Sequence, residues 1–326
     1  MNRSLRPLLA TALIFAIAYA LAVMQFPSMF STRVLGNFLT DNAFLGIAAV
    51  GMTFVILSGG IDLSVGAIFS LSSVMVGVLY TEGIPIQGAV ALAVLVGLAC
   101  GLFNGLVVVI LHIHPLLVTL GTLALFRGLA LGISNGSGIA GFPASFEIVG
   151  QAYYGLVPAQ CVFWLLVVVA AVVLTTRTAA GRSLVAVGAN ETAARFSGVR
   201  ISLVRVSVYG LSGLLSGIAA VIYTSRVLSS RADAGNGLEL LAIAAVVLGG
   251  ASIQGGQISV VRTTLAVIAI AMIPNGFVLS DYSTSWQYVA IGVLMIIAVV
   301  FNESLAARLW RLLARVRPSR PMTARN

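Results

Sequence analysis

The chain has 326 residues, of which 60% are apolar and only 8% are charged. A soluble domain has about 25% charged residues, so this sequence cannot surround a core with a polar surface and is predicted to be an integral membrane protein. All 18 basic residues are arginine, which gives a net charge of +9 and excludes a Gly-Lys-Ser/Thr phosphate-binding loop. With two His and two Cys residues, no zinc cluster, haem motif or disulfide scaffold is expected. No cofactor, metal site or catalytic residue is therefore predicted.

Ten apolar segments are candidates for membrane-spanning helices, which need about 20 mostly apolar residues each. The first is interpreted as an uncleaved anchor rather than a cleaved signal peptide, since its apolar run continues and further spans follow. The fold class is therefore all-α, a polytopic protein with one transmembrane domain over residues 1–326. The predicted spans are 8–26, 43–58, 62–80, 88–111, 115–133, 158–176, 206–224, 238–253, 260–279 and 286–302.

Glycine residues mark two features of these spans. The pairs Gly59-Gly60 and Gly249-Gly250 end the second and eighth spans, and they are compatible with broken helices or with tight turns. Glycines at four-residue spacing also predict close approach between helices. These stripes are Gly97, Gly101 and Gly105; Gly128 and Gly132; and Gly213 and Gly217.

The arginines are concentrated on one side of the predicted topology. Of the 18, 13 precede the first span, lie between residues 177 and 205, or follow the tenth span. Because cytoplasmic loops carry the excess of basic residues, both termini, the 177–205 loop and the Arg-rich tail 303–326 are predicted to be cytoplasmic. Topology thus explains the positive charge, and no nucleic-acid partner is expected.

The 177–205 loop contains a local helix signal. Asn190 is a plausible N-cap, Glu191 would occupy the first turn, and Gly198 would end the helix. From composition alone, a helix that docks on another protein and a solvated connector are equally compatible with this segment.

Residues 188–198 (GANETAARFSG) resemble the coupling-helix segment of permeases in the ribose-type family of bacterial ABC sugar importers. Residues 50–66 (VGMTFVILSGGIDLSVG) and 235–250 (GNGLELLAIAAVVLGG) are similar to further family stretches, as are 104–105, 119–122 and 126–128. The resemblance covers about residues 26–302 in the same order. Stretches at 26–46 and 283–292 look closest to the galactofuranose-importing members.

The resemblance implies that the chain is a permease subunit in the bacterial inner membrane and forms the translocation path for a monosaccharide. It implies four partners: an ATPase subunit that hydrolyses the ATP, a second and different permease chain, a periplasmic sugar-binding protein and the lipid bilayer. The residues expected to couple to the ATPase are Gly188, Asn190, Glu191, Ala193, Ala194, Arg195 and Gly198.

The sequence departs from the family pattern at two places. Residues 251–264 lack the usual Gly-rich continuation, with Arg262 near a position usually held by Gly. His112-Ile113-His114-Pro115 stands where the family more often has a basic residue and a Pro pair. Helix packing and partner contacts at these two places are therefore not carried over from the family.

Polar residues within the spans are the candidates for the path or its gate. Asp62 is interpreted first as an N-cap of the third span and second as a gate, and the two roles are compatible. Two interpretations of Arg127 are equally compatible with the sequence. Either it lines the path or holds a partner carboxylate, or its side chain extends to the membrane interface. The full set of path or gate candidates is Asp62, Ser64, Asn104, Thr119, Thr122, Phe126, Arg127 and Asn275.

Two other classes of protein are compatible with the span pattern. An ion-gradient-driven secondary transporter usually carries acids near the bilayer centre, and here only Asp62 is a candidate. An intramembrane enzyme is disfavoured, because His112 and His114 have no acid or Cys close in sequence.

Overall fold

The computed structural model describes residues 24, 32–155, 157–252, 254–257, 259–279, 286, 289–290 and 292–293. Within them, helices dominate, and the all-α fold class is confirmed. A single two-stranded antiparallel hairpin is present in this part of the chain, β1 (Tyr153–Tyr154) with β2 (Val157–Pro158). The helices are α1 (Thr32–Leu57), α2 (Val65–Thr81), α3 (Ile86–Leu111), α4 (Pro115–Ser134), α5 (Ala144–Gln151), α6 (Ala159–Arg177), α7 (Ala179–Ala189), α8 (Glu191–Phe196), α9 (Ile201–Val227), α10 (Leu238–Leu248) and α11 (Val260–Leu279).

The predicted spans agree with these helices. Five helices (α1, α3, α4, α6 and α9) are long and apolar enough to cross a membrane, and α2, α10 and α11 are shorter apolar helices. Eight of the ten predicted spans therefore coincide with a helix. The other two, 8–26 and 286–302, lie almost wholly outside the described residues. The structure adds three elements that were not predicted: α5, α7 and the hairpin.

Helices α3 and α9 pack closely against each other, and glycines on both helices permit this contact. A Cβ added at Gly97 would come 2.6 Å from the carbonyl oxygen of Gly213, and one at Gly105 would come 2.7 Å from Cα of Val206. These stripes therefore act as predicted, with backbone packed on backbone. The Gly128 and Gly132 stripe does not, since nothing lies within 4 Å of a Cβ at either position.

Both Gly pairs form hydrogen-bonded turns that end a helix. Gly59 has φ +82°, and the N–H of Gly60 donates to the carbonyl oxygen of Val55 at 3.1 Å. At the end of α10, Gly250 has φ +79° and its N–H donates to the carbonyl oxygen of Val247 at 2.9 Å. A positive φ after the last helical turn is the conformation in which glycine closes a helix without steric cost. The structure thus favours turns at both pairs.

An irregular segment, residues 228–237, precedes α10 and packs along α2. Ser230 Oγ donates to the carbonyl oxygen of Ser73 at 2.6 Å, and the N–H of Gly235 donates to Ser70 Oγ at 2.9 Å. A Cβ at Gly235 would overlap the backbone of Gly66, so only glycine allows this approach. The segment places the N-terminus of α10 beside the first turn of α2.

Candidate functional site

The predicted coupling residues form a short capped helix, α8. Asn190 Oδ1 accepts the N–H of Ala193 at 2.9 Å, so Asn190 is the N-cap, and Glu191 begins the helix. At the other end Gly198 has φ +82°, and the N–H of Val199 donates to the carbonyl oxygen of Ala194 at 3.1 Å. The predicted N-cap and glycine stop are both confirmed.

One face of α8 packs on the rest of the chain, and the other is open. The side chain of Ala194 is 3% exposed and packs with Val187 of α7 and Ile201 of α9. Glu191 forms ion pairs with Arg195, at 3.2 Å, and with Arg205 of α9, at 2.5 Å. On the open side, Phe196 is 88% exposed. An exposed aromatic on a fixed helix is suited to contact with another protein.

Gly188 lies where three backbone segments meet. A Cβ at Gly188 would overlap the carbonyl oxygen of Leu57, the last residue of α1, and would come 2.6 Å from the backbone nitrogen of Gly256. That nitrogen also donates to the carbonyl oxygen of Leu57, at 3.1 Å. The end of α7, the end of α1 and the turn 254–257 are therefore in direct backbone contact, two residues before the N-cap of α8.

Three of the path or gate candidates, Asp62, Ser64 and Asn104, form a buried polar cluster with Ser212 at the connection between α1 and α2, here called the junction cluster. Asp62 Oδ1 accepts from Ser64 Oγ at 2.6 Å, and Ser64 Oγ accepts from Asn104 Nδ2 at 2.8 Å. Ser212 Oγ of α9 donates to Asp62 Oδ2 at 3.2 Å. All four side chains have 0% exposure. The cluster joins α3 and α9 to the segment that connects α1 and α2.

The N-cap prediction for Asp62 needs a correction. Asp62 does accept a backbone N–H, that of Ser64 at 3.0 Å. However, α2 begins at Val65 and its N-cap position is Ser64, so Asp62 lies two residues before the cap. The carboxylate holds the connecting segment by an Asx-type turn, and its second oxygen is bound by α9.

Thr119 is adjacent to the same connecting segment, because its Oγ1 donates to the carbonyl oxygen of Ile61 at 3.2 Å. Thr122 Oγ1 bonds to a carbonyl of its own helix, that of Thr119. Phe126 is 4% exposed and packs against α2 and Cys100. Asn275 is in α11, and its side chain lies outside the described residues.

Arg127 is paired with a carboxylate that was not predicted as a site residue. Its Nη2 lies 3.8 Å from Oε1 of Glu239, in the first turn of α10. The Glu239 side chain is 10% exposed and that of Arg127 is 31% exposed. Of the two alternatives for Arg127, the structure favours a partner carboxylate. Arg127 is the thirteenth residue of α4, about 18 Å along the helix, which places the pair near the middle of a span.

We expect Arg127→Met to lower the free energy of unfolding by about 2 kcal/mol or more, because it leaves the Glu239 carboxylate buried without its counter-charge. Adding Glu239→Gln should recover most of the loss. Thermal unfolding of the purified protein in detergent measures both effects. Equal losses in the single and double variants would contradict a stabilising pair.

Sequence reasoning missed Ser212 and Glu239. Ser212 stands beside Gly213 in a small-residue stripe that was read only as packing. Glu239 falls at the start of the predicted span 238–253 and was not among the path or gate candidates, whereas the structure buries it where the 228–237 segment packs on α2. The signal for this packing is the coincidence of Gly235 with the small residues Gly66 and Ser70 opposite it.

The chain is similar to known permeases. Residues 34–299 match the family described as branched-chain amino acid transport system / permease component. The ribose import permease protein of Bacillus subtilis is 39% identical over 283 residues, which is 86% of this chain and 88% of that protein. The autoinducer 2 import system permease protein of Yersinia enterocolitica is 36% identical over 299 residues, 90% of each chain. No solved structure matches.

The permease match covers most of the chain, and it contains all the described helices apart from the first two residues of α1. A third relative is the autoinducer 2 import system permease protein of Photorhabdus laumondii. This chain aligns with at least 84% of the length of each of the three relatives. The apolar helices agree with a multi-pass protein of the bacterial inner membrane. The chain therefore belongs to this family of transport-system permease components.

Proposed function

We propose that this chain is a permease subunit of an ATP-driven importer and forms part of the path by which a monosaccharide crosses the bacterial inner membrane. The ATPase is a separate subunit that docks on α8, and a periplasmic binding protein delivers the sugar. A second, different permease chain completes the path. The observation that carries the proposal is α8 itself, a capped helix with one packed face and one exposed face.

The contacts of α8 give the docking a route into the membrane domain. Gly188, two residues before the N-cap of α8, contacts the end of α1 at Leu57. Asp62 of the junction cluster lies five residues after Leu57. Arg205 connects Glu191 of α8 to α9, which also supplies Ser212 to the junction cluster. A displacement of α8 by the ATPase would thus reach Asp62 through α1 and through α9.

Ala194→Trp is expected to prevent co-purification of the ATPase or to uncouple ATP hydrolysis from uptake. The site is full, because Ala194 is 3% exposed between α7 and α9, so an indole must displace α8. Ala194→Ser, which keeps the volume small, serves as the control. Pull-down of the ATPase and the ratio of sugar transported to ATP hydrolysed are measured. Normal coupling of ATP hydrolysis to uptake in the Trp variant would contradict the docking role of α8 and would indicate that the segment is only a connector.

Transport in proteoliposomes separates an ATP-driven importer from a gradient-driven carrier. The purified complex is reconstituted into vesicles, and ATP is supplied on the side of the membrane that the ATPase faces. Ionophores collapse all ion gradients. Uptake that continues supports the proposal. Uptake that requires a proton or sodium gradient, or that proceeds with the chain alone, would overturn it.

Galactofuranose is the first substrate to test, because residues 26–46 and 283–292 resemble those of the galactofuranose-importing family members. The relatives considered above are named for ribose and for autoinducer 2. Titration of the cognate periplasmic binding protein with galactofuranose, galactopyranose and ribose discriminates among sugars. Tight binding of ribose and none of galactofuranose would redirect the substrate while leaving the permease function in place.

A further inference from the structure

A cleft of about 370 Å³ separates α8 from the turn between α3 and α4. His112 and His114 of that turn lie on one wall, and Glu191, Arg195 and Arg205 lie on the other. His112 ends α3 with φ +54°, and His114 is the N-cap of α4. The cleft therefore lies between the proposed ATPase contact and the start of α4.

The polar groups of the cleft are mainly hydrogen-bond donors. Both oxygens of Glu191 are occupied, one by Arg195 and one by Arg205, so one acid faces two guanidinium groups. His114 Nδ1 accepts the N–H of Leu116 at 3.3 Å, and His112 Nδ1 lies 3.2 Å from the carbonyl oxygen of Ile110. With two arginines and one acid, the lining has an excess of one positive charge. A carboxylate accepts at every lone pair and fits such a lining.

We infer that this cleft receives an acidic side chain of the ATPase subunit, which makes the α3–α4 turn a second docking contact beside α8. The inference rests on the function proposed above. It assigns a role to His112-Ile113-His114-Pro115, one of the two places where this chain departs from the family pattern. The excess positive charge of the cleft complements an acidic side chain. Arg195, whose side chain is 71% exposed, lies on the same helix that the ATPase would cover, which favours the ATPase as the source of that acid.

A contact at this turn would act directly on the path. Pro115 begins α4, and Thr119 of the same helix bonds to the carbonyl oxygen of Ile61. Arg127 follows two turns later and pairs with Glu239. The ATPase would therefore hold the segment that leads into Asp62 at two points, at Leu57 by Gly188 and at Ile61 by Thr119 of α4.

The test is the affinity of the ATPase subunit for the purified permease complex in detergent at low salt. His112→Asp adds a negative charge at a position with φ +54° that Asp tolerates. We expect about tenfold weaker binding, equivalent to about 1.4 kcal/mol. His112→Asn keeps the backbone conformation and adds no negative charge, and Gln87→Glu adds the same charge as His112→Asp at an exposed residue near the other end of α3. Both should bind within about twofold of the parent, an affinity change near 0.4 kcal/mol.

Reversal of single surface acids on the ATPase to Arg should identify one variant that restores binding to His112→Asp. Equal affinity of parent and His112→Asp, with intact ATP-driven uptake, would overturn the cleft proposal alone. Absence of ATPase binding to the parent complex would overturn the proposed function instead. The parent and His112→Asp could differ in ATPase affinity only in vesicles that contain phosphatidylglycerol. That result would assign the cleft to an anionic lipid and would also overturn the inference.

Discussion

Gly188→Ala is expected to abolish ATP-driven uptake and to weaken association with the ATPase. The added methyl group would overlap the carbonyl oxygen of Leu57 and approach the nitrogen of Gly256 at 2.6 Å. Both neighbours are backbone atoms, so neither can rotate away as a side chain can. The end of α7 must therefore move off the end of α1, and the hydrogen bond from Gly256 to Leu57 must break.

The cost of such overpacking is about 1–3 kcal/mol, and it is concentrated where α8 is attached. Gly121→Ala is the matched control, since a Cβ at Gly121 has open space around it and alanine favours a helix. Uptake, ATPase pull-down and thermal unfolding are compared for the two variants. If Gly188→Ala transports normally, the contact between α7 and α1 does not carry the coupling.

Glu191→Arg is expected to lose ATPase binding completely in a pull-down. The substitution removes the ion pairs to Arg195 and Arg205 and places three guanidinium groups together. Like charges in contact repel, and at an interface such a juxtaposition costs several kcal/mol. It also removes an acid from the first turn of α8, where the helix dipole favours negative charge.

Glu191→Gln is the control for this variant, because it keeps the size and the acceptor oxygen but has no charge. It should retain ATPase binding at a reduced level, with a smaller dependence on salt than the parent. If Glu191→Arg binds the ATPase as tightly as the parent does, α8 is not the docking helix. Restoration of binding by a second substitution, Arg205→Glu, would show that the pair with α9 is the relevant contact.

The helices of the membrane domain could be predicted because apolar length determines them. The segments 88–111, 115–133 and 158–176 agree with α3, α4 and α6 within two residues. Local chemistry was equally informative at Asn190 and Gly198, where a side-chain acceptor and a positive φ mark the ends of α8. These features depend on neighbouring residues in the sequence.

What could not be predicted depends on contacts between distant segments. Gly188 was identified as a coupling residue, but its contact with Leu57 joins positions far apart in the chain. The Glu239 partner of Arg127 was missed for the same reason, since hydropathy reads residues 228–237 as an exposed loop. The cluster at Asp62 required the position of Ser212 on α9, which no local pattern gives.

The eleven residues of α10 cover about 16 Å, roughly half of a hydrocarbon layer about 30 Å thick. The translocon recognises long apolar segments, so α10 is too short to partition into lipid by itself, and the polar backbone before it needs protein partners. The side chain of Ser70 in α2 provides one such partner, because its Oγ accepts the N–H of Gly235, whereas Ser73 contributes its backbone carbonyl to the hydroxyl of Ser230. Stable insertion of α10 thus depends on α2 being in place first, and Ser70→Ala should reduce the fraction of chains in which α10 is inserted.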